Sequence, residues 1–227
     1  MQTIPIVEPR YESVPVLPLP NFVLFPQTTT RLHVFEERYR MLVAEALAGS
    51  RLVVLVGLKP GWQQDYHGTP PSYEVGSLCR IVNEERLGDG RFNLFVHALA
   101  RARLRTIHSF TPYRTAEIEV HNDDAGDAIA VQDAMARLVA TVRGLMVQRG
   151  EHAASLAAAL SSTAKPAILT HRLASVLAFE PEVRQRLLEV ASVPERAERL
   201  AELAGELLLR STELELAGHD DPKAWLN

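Results

Sequence analysis

A single cysteine, Cys79, occurs among the 227 residues. No disulfide can form within the chain, and this usage fits a reducing cytoplasm, where the protein is expected to work. Lysine is almost as scarce, with three, at positions 59, 165 and 223. Long apolar runs are missing as well. The longest, LVVLVGL at 52–58, falls far short of the roughly 20 residues that cross a bilayer, so no membrane partner is expected. Glu8, Arg10 and Glu12 stand where a signal peptide needs an apolar stretch. The dipeptide Gly-Lys is absent, which removes the phosphate loop of an ATPase. No two of the eight histidines lie three or four residues apart, so the zinc-binding pair of a helical turn is missing. Neither a metal nor a cofactor is expected.

The net charge of −4 is unevenly spread. Residues 1–121 carry 13 basic and 12 acidic side chains, whereas 122–227 carry 11 and 16. Neither half has the basic excess that neutralising several phosphates requires, which disfavours nucleic acid as a partner.

What is present changes character near residue 122. The first half reads as short strands broken by Gly and Pro. LVVLVGL is a continuous apolar strand, and the sequence from Tyr73 to Leu99 reads as two strands joined at Gly88-Asp89-Gly90. Folding 101–120 about Thr111-Pro112 would set Arg103 opposite Glu119 and Arg105 opposite Glu117. In LPLPNFVLFPQTTTRLHVFEERYR, 17–40, prolines 18, 20 and 26 fit edge strands and strand ends but not a parallel-sheet strand. A short strand at 31–34 follows. Phe35, Tyr39, Leu42, Val43, Ala46 and Leu47 then fall on one helical face that Gly49 ends. These residues predict a mostly antiparallel barrel with one helix.

Beyond residue 127 the period is helical. Met135, Leu138, Val139, Val142, Leu145 and Met146 make one stripe, interrupted at Gly150. Pro166, Pro181 and Pro194 suit first helical turns, and Ser192 with Glu195 has capping-box spacing. The last helix presents Leu200, Leu203, Ala204, Leu207 and Leu208. Four or five helices in a small bundle are predicted. The domains are therefore 1–121 and 122–227, with the solvated acidic cluster Asp123, Asp124 and Asp127 as the hinge.

Catalytic constellations are sparse. Ser162-Thr163-Ala164-Lys165 fits Ser-x-x-Lys, yet its companion motifs are absent and Pro166 follows directly, so it reads as an interhelical loop. Cys79 sits in an apolar strand pattern and reads as a buried structural thiol. Arg101, Arg103 and Arg105 alternate along one strand, where pairing with Glu117 and Glu119 is favoured over an anion site.

Three stretches carry a resemblance. Leu17-Pro18-Leu19, Val23-Leu24-Phe25-Pro26 and Leu32 to Arg40 stand in an order that resembles the signature of the Lon protease N-terminal, substrate-binding domain. GSLCRIVNEERLGDGRFNLFVHALARARL is similar to that family's Gly-x-x-x-x-Ile strand and Asp-Gly-Arg hairpin, and 171–208 resembles the helical part that follows. Gln27 replaces a customary glycine, and 98–104 departs from the usual Gly-x-x-Arg-Phe. The resemblance spans roughly 13–217. It implies an α+β fold: a PUA-like antiparallel β-barrel, then a C-terminal helical bundle. The sequence ends before an ATPase or serine–lysine protease domain would begin, so a free-standing form is expected.

The resemblance implies a non-catalytic module for unfolded or apolar polypeptide segments or a partner protein. The alternative is an RNA- or small-ligand-binding PUA-like protein. The binding surface is expected in the loop 59–73, where Trp62, Tyr66 and Tyr73 stand among Gly and Pro.

Overall fold

The computed structural model describes residues 7–66, 68–108, 112–160, 164–177 and 179–219. The chain divides into two compact units, Met1–Asn122 with Phe179–Ala191, and Asp123–Ala178 with Ser192–Asn227.

The first unit contains β1 (Arg10–Leu19), β2 (Thr29–Val34), α1 (Glu37–Ala48), β3 (Leu52–Gly57), β4 (Val75–Arg86), β5 (Phe92–His108) and β6 (Arg114–His121). They form one six-stranded sheet in the order β2-β5-β4-β3-β1-β6, with β5 also paired to β6. The pairings β1–β3–β4–β5–β6–β1 thus close a circuit. The 17-residue β5 pairs with β4 over 92–103 and also with two further strands along its length, 92–97 with β2 and 101–108 with β6.

One pair departs from the expected antiparallel pattern. β1 and β3 run parallel over Val16–Leu19, because β2 and α1 supply the crossover that returns the chain in the same direction. Pro18 therefore lies within a parallel pair, contrary to the reading of its spacing. The tolerance comes from stagger. β1 meets β6 over Arg10–Val16 and β3 only from Val16 onward, so Pro15 and Pro18 each lack a ladder partner on one flank.

β3 is buried along its whole length, as its unbroken apolar run requires. Its alternate residues feed two clusters. Val53 and Leu55 join Leu42 and Val43 of α1 with Ile81 and Leu94. Val54 and Val56 join Leu78, Leu104 and Ile118. α1 buries Tyr39, Leu42, Val43 and Ala46. Phe35, assigned to that face from its spacing, is 61% exposed. It precedes the first helical residue, where a period of 3.6 no longer applies.

The hairpin of β5 and β6 carries a bulge between Leu104 and Ile107. Arg103 does oppose Glu119, but its guanidinium approaches Glu74 at 3.6 Å. Within the bulge, Arg105 Nε donates to Glu119 at 2.8 Å, not to Glu117. A further helix, from Pro181 to Glu189, belongs with the sheet: Arg184 Nη2 donates to the Val23 carbonyl at 2.8 Å and Gln185 Nε2 to that of Val75 at 2.9 Å. It is α5 in chain order, after three helices of the second unit.

Those three are α2 (Ala128–Arg149), α3 (Ala154–Leu160) and α4 (Pro166–Val176), and α6 (Val193–His219) completes the unit. The Asp127 carboxylate caps α2 by accepting from the Ile129 and Ala130 amides at 2.9 and 3.1 Å. α2 buries Ala134, Leu138, Val142 and Leu145, and α6 buries Ala197, Leu200 and Ala204. The Ser192 hydroxyl accepts from the Glu195 amide at 3.4 Å. In the acidic cluster Asp124 and Asp127 are exposed, whereas Asp123 is half-buried. Asp123 and Asp124 are bonded into the second unit, Asp124 through its carbonyl to the Val193 amide at 2.9 Å.

Candidate functional site

The loop between β3 and β4 is held, not free. Leu58 bridges Ser72, and the Lys59 amide donates to the Pro71 carbonyl at 2.9 Å. Gly61, at φ +87°, turns the chain into a short 3₁₀ turn, Trp62–Asp65. Its closing residue, Asp65, accepts from the Thr69 amide at 3.0 Å. The glycines and prolines therefore punctuate a compact turn where the sequence suggested none.

Trp62 and Tyr66 come together. Their rings meet edge-on, with centroids 5.4 Å apart and planes at 64°. Both are half-buried. Glu36, at the N-terminus of α1, leaves the helix uncapped by its side chain. Its carboxylate instead accepts from the Tyr66 hydroxyl and from Arg38 Nε, the latter at 3.0 Å. The Arg38 guanidinium lies 4.6 Å from the Tyr39 ring centroid and 5.4 Å from that of Tyr66, and Nη2 donates to the Tyr66 carbonyl at 3.1 Å. Burial and the bond to Glu36 push the Tyr66 phenol up to about 12, so it stays a hydrogen-bond donor at neutral pH.

Beside this clip, Glu36, Glu37, Arg38, Met41 and Pro112 line an open groove of about 480 Å³. Met41 is 50% exposed there. Two of its lining residues are apolar, Met41 and Pro112, and three are charged, of which Glu36 and Arg38 also hold Tyr66. The sequence reading missed α1's share of it. The signal available was Met41, which falls outside the buried stripe of the helix.

Tyr73 is elsewhere. It packs half-buried against the second core cluster, with ring carbons 3.2 and 3.6 Å from where a Cβ on Gly57 would stand. It folds back on the sheet and does not join Trp62 and Tyr66.

The other singled-out residues assemble no reactive centre among the described residues. Cys79 is fully buried, burial raises its thiol pKa, and Sγ donates to the Ser77 carbonyl at 3.2 Å. Arg101 is buried and donates to the Asn122 carbonyl at 2.8 Å, while Arg103 and Arg105 take Glu74 and Glu119. Ser162 and Thr163 lie outside the described residues. No group of three His, Cys, Asp or Glu side chains suited to a metal occurs among the described residues, and none of their helices is long and apolar enough to cross a membrane.

One cluster had no sequence signal. Asp123 accepts from His171 Nε2 at 3.0 Å and from Arg196 Nη1 at 2.9 Å, and Arg196 Nε donates to the Thr170 hydroxyl at 3.0 Å. The carboxylate must accept, so the histidine proton sits on Nε2. His171 and Arg196 are buried. Burial alone would raise the Asp123 carboxyl, but the bond from His171 and the charge of Arg196 bring it down to about 2. The group ties residue 123 to α4 and α6.

In fold, the chain is similar to two solved structures. One is a Lon N-terminal domain protein from Xanthomonas campestris, with a TM-score of 0.60 at 22% identity, covering 84% of this chain and 97% of that one. The other is the N-terminal domain of Mycobacterium avium complex Lon protease, with a TM-score of 0.64 at 17% identity, covering 85% and 98%. Residues 13–205 match the ATP-dependent protease La (LON) substrate-binding domain, and the chain belongs to that family. Lon protease 1 of Thermus thermophilus is 32% identical over 209 residues, 88% of this chain and 25% of that protein. Lon protease of Roseiflexus castenholzii is 29% identical over 188 residues, 82% and 23%. The chain spans about a quarter of the length of these curated relatives, and the family match is to the substrate-binding domain, not to an ATPase or protease domain.

Proposed function

We propose that this protein is a non-catalytic recognition module for polypeptides, taking unfolded or apolar segments or a partner protein. The observation that carries the reading is the groove on α1, where exposed Met41 shares the lining with Glu36 and Arg38, the two residues that hold Tyr66 against Trp62. Aromatic anchors in a polar setting are what binding hot spots use. Membership of a family named for substrate binding supports the same reading. The closed circuit of strand pairs supports a PUA-like barrel for the first unit, and the lone buried thiol fits a cytoplasmic setting. Tyr73, packed on the core, is left out of the binding surface.

Trp62→Ala is the test. Its ring is outside both core clusters, so melting should shift little, while affinity for a reduced, unfolded polypeptide should fall by roughly 2 kcal/mol. Lower melting with unchanged affinity would remove the groove as the site. The purified protein should hydrolyse neither ATP nor casein, and activity lost in Ser162→Ala would overturn the non-catalytic part.

A further inference from the structure

Among the described residues β2 has one strand neighbour, β5, and stands at the end of the strand order. In an antiparallel ladder, residues alternate between bonding a partner and pointing their N–H and C=O away from it. The phase is fixed twice. The Leu87 amide donates to the Arg91 carbonyl at 2.9 Å, which sets Glu85 and Asn93 as a bonded pair of β4 and β5, so Phe92, Leu94 and Val96 turn towards β2. The Ala98 amide, which donates to the Thr28 carbonyl at 2.9 Å, gives the same phase. Thr30, Leu32 and Val34 therefore bond to β5. Thr29, Arg31 and His33 direct their backbone groups off the sheet, where the one bond among the described residues is a 3.5 Å contact from the Thr30 hydroxyl to the Arg31 carbonyl.

We propose that this edge of β2 is a docking site for an extended polypeptide segment, which adds as a further strand and alternates apolar with acidic side chains. The backbone demands a strand, since only another extended chain satisfies donors and acceptors at this spacing. The side chains set its character. Thr29, Arg31 and His33 are exposed on one face, where every second side chain of the added strand would lie. Arg31 lies 5.3 Å over the Phe95 ring and has no carboxylate partner among the described residues. His33 approaches Arg91 at 3.3 Å. A carboxylate across from Arg31 is attracted. On the opposite face the half-buried Thr30 and Leu32, the latter packed on the first core cluster, offer apolar contact to the alternate residues of the added strand. A second copy suits the edge poorly, because antiparallel pairing about a two-fold axis brings Arg31 and His33 of both copies together. Lysine and proline, which blunt natural edges, are absent from Thr29–Val34.

The site rests on the polypeptide-recognition reading but not on the α1 groove. Amide exchange in the full chain tests it, with and without a saturating ten-residue peptide that alternates valine and glutamate. The Thr29, Arg31 and His33 amides should slow by about tenfold or more, while those of Thr30 and Leu32, already bonded to β5, should not change. Arg31→Pro deletes one outward donor and the cation without touching a β5 bond, and should weaken binding roughly tenfold. Unchanged exchange at the three amides overturns the proposal, and so does wild-type affinity in folded Arg31→Pro. If that variant does not fold, the wild-type exchange decides. Protection that grows with protein concentration alone, or displacement of the peptide by decauridylate, also overturns it. Trp62→Ala should leave the edge protection intact, so the two surfaces fail separately.

Discussion

Asp123 balances two buried basic side chains of the second unit. Its carboxylate faces a fully buried guanidinium and a buried imidazole, and removing one partner of such a set leaves a charge without compensation. Asp123→Asn should therefore cost about 3–5 kcal/mol. The pH dependence has a definite sign. The carboxyl stands at about 2 against an ordinary 3.8, so its stabilisation is complete above about pH 4 and is lost as pH falls towards 2. Its size is about 2 kcal/mol at most. Urea midpoints at pH 5 and pH 2.5, for wild type and Asp123→Asn, measure both effects. The variant should lose less stability between the two conditions; an equal loss would mean that other carboxylates carry the acid response. Gln27 makes a smaller point at the same scale. It holds φ at +61°, a left-handed conformation that glycine adopts without steric cost. The glycine customary at that position in the resembling family therefore has a conformational reason.

At the level of elements, β3 and β4 fit closely at Gly76. A Cβ on Gly76 would stand 2.4 Å from the Leu55 carbonyl oxygen, so the two strands approach as they do only because that side chain is missing. Gly76→Ala should destabilise the first unit by about 1–3 kcal/mol, as overpacking does. Gly88→Ala, where nothing lies near, should cost far less, and equal losses in denaturant midpoint would refute the packing account. Much at this scale was legible. The hairpin at 88–90, the strand at 52–57, the proline-started helices and the helical stripe of α2 all follow from local pattern. What local pattern missed depended on partners remote in sequence: the parallel pairing of β1, the bulge that moves Arg105 to Glu119, and the 3₁₀ turn that joins Trp62 to Tyr66.

Across the whole molecule the chain visits the first unit twice. Residues 179–191 return to it after the second unit has begun, and α5 satisfies the carbonyls of Val23 and Val75. A fragment ending at Asn122 leaves those acceptors without Arg184 and Gln185. It should melt lower than the intact chain and bind a hydrophobic dye such as ANS. A fragment that melts like the full chain without binding the dye would show that α5 adds nothing to the first unit.

The sequence by itself determined the periods: two before residue 122, 3.6 after it, with glycine and proline marking the breaks. Those are properties of neighbours along the chain, whereas the motifs within 17–40 and 76–104 and the 171–208 segment carried the resemblance that the family match bears out. Only the tertiary structure decided which elements meet. Asp123 lies 48 residues from His171 and 73 from Arg196, and Glu36 lies 30 from Tyr66. No periodicity links positions so far apart. Burial makes such contacts strong, because a charge or hydroxyl removed from water must find its partner wherever the fold brings one.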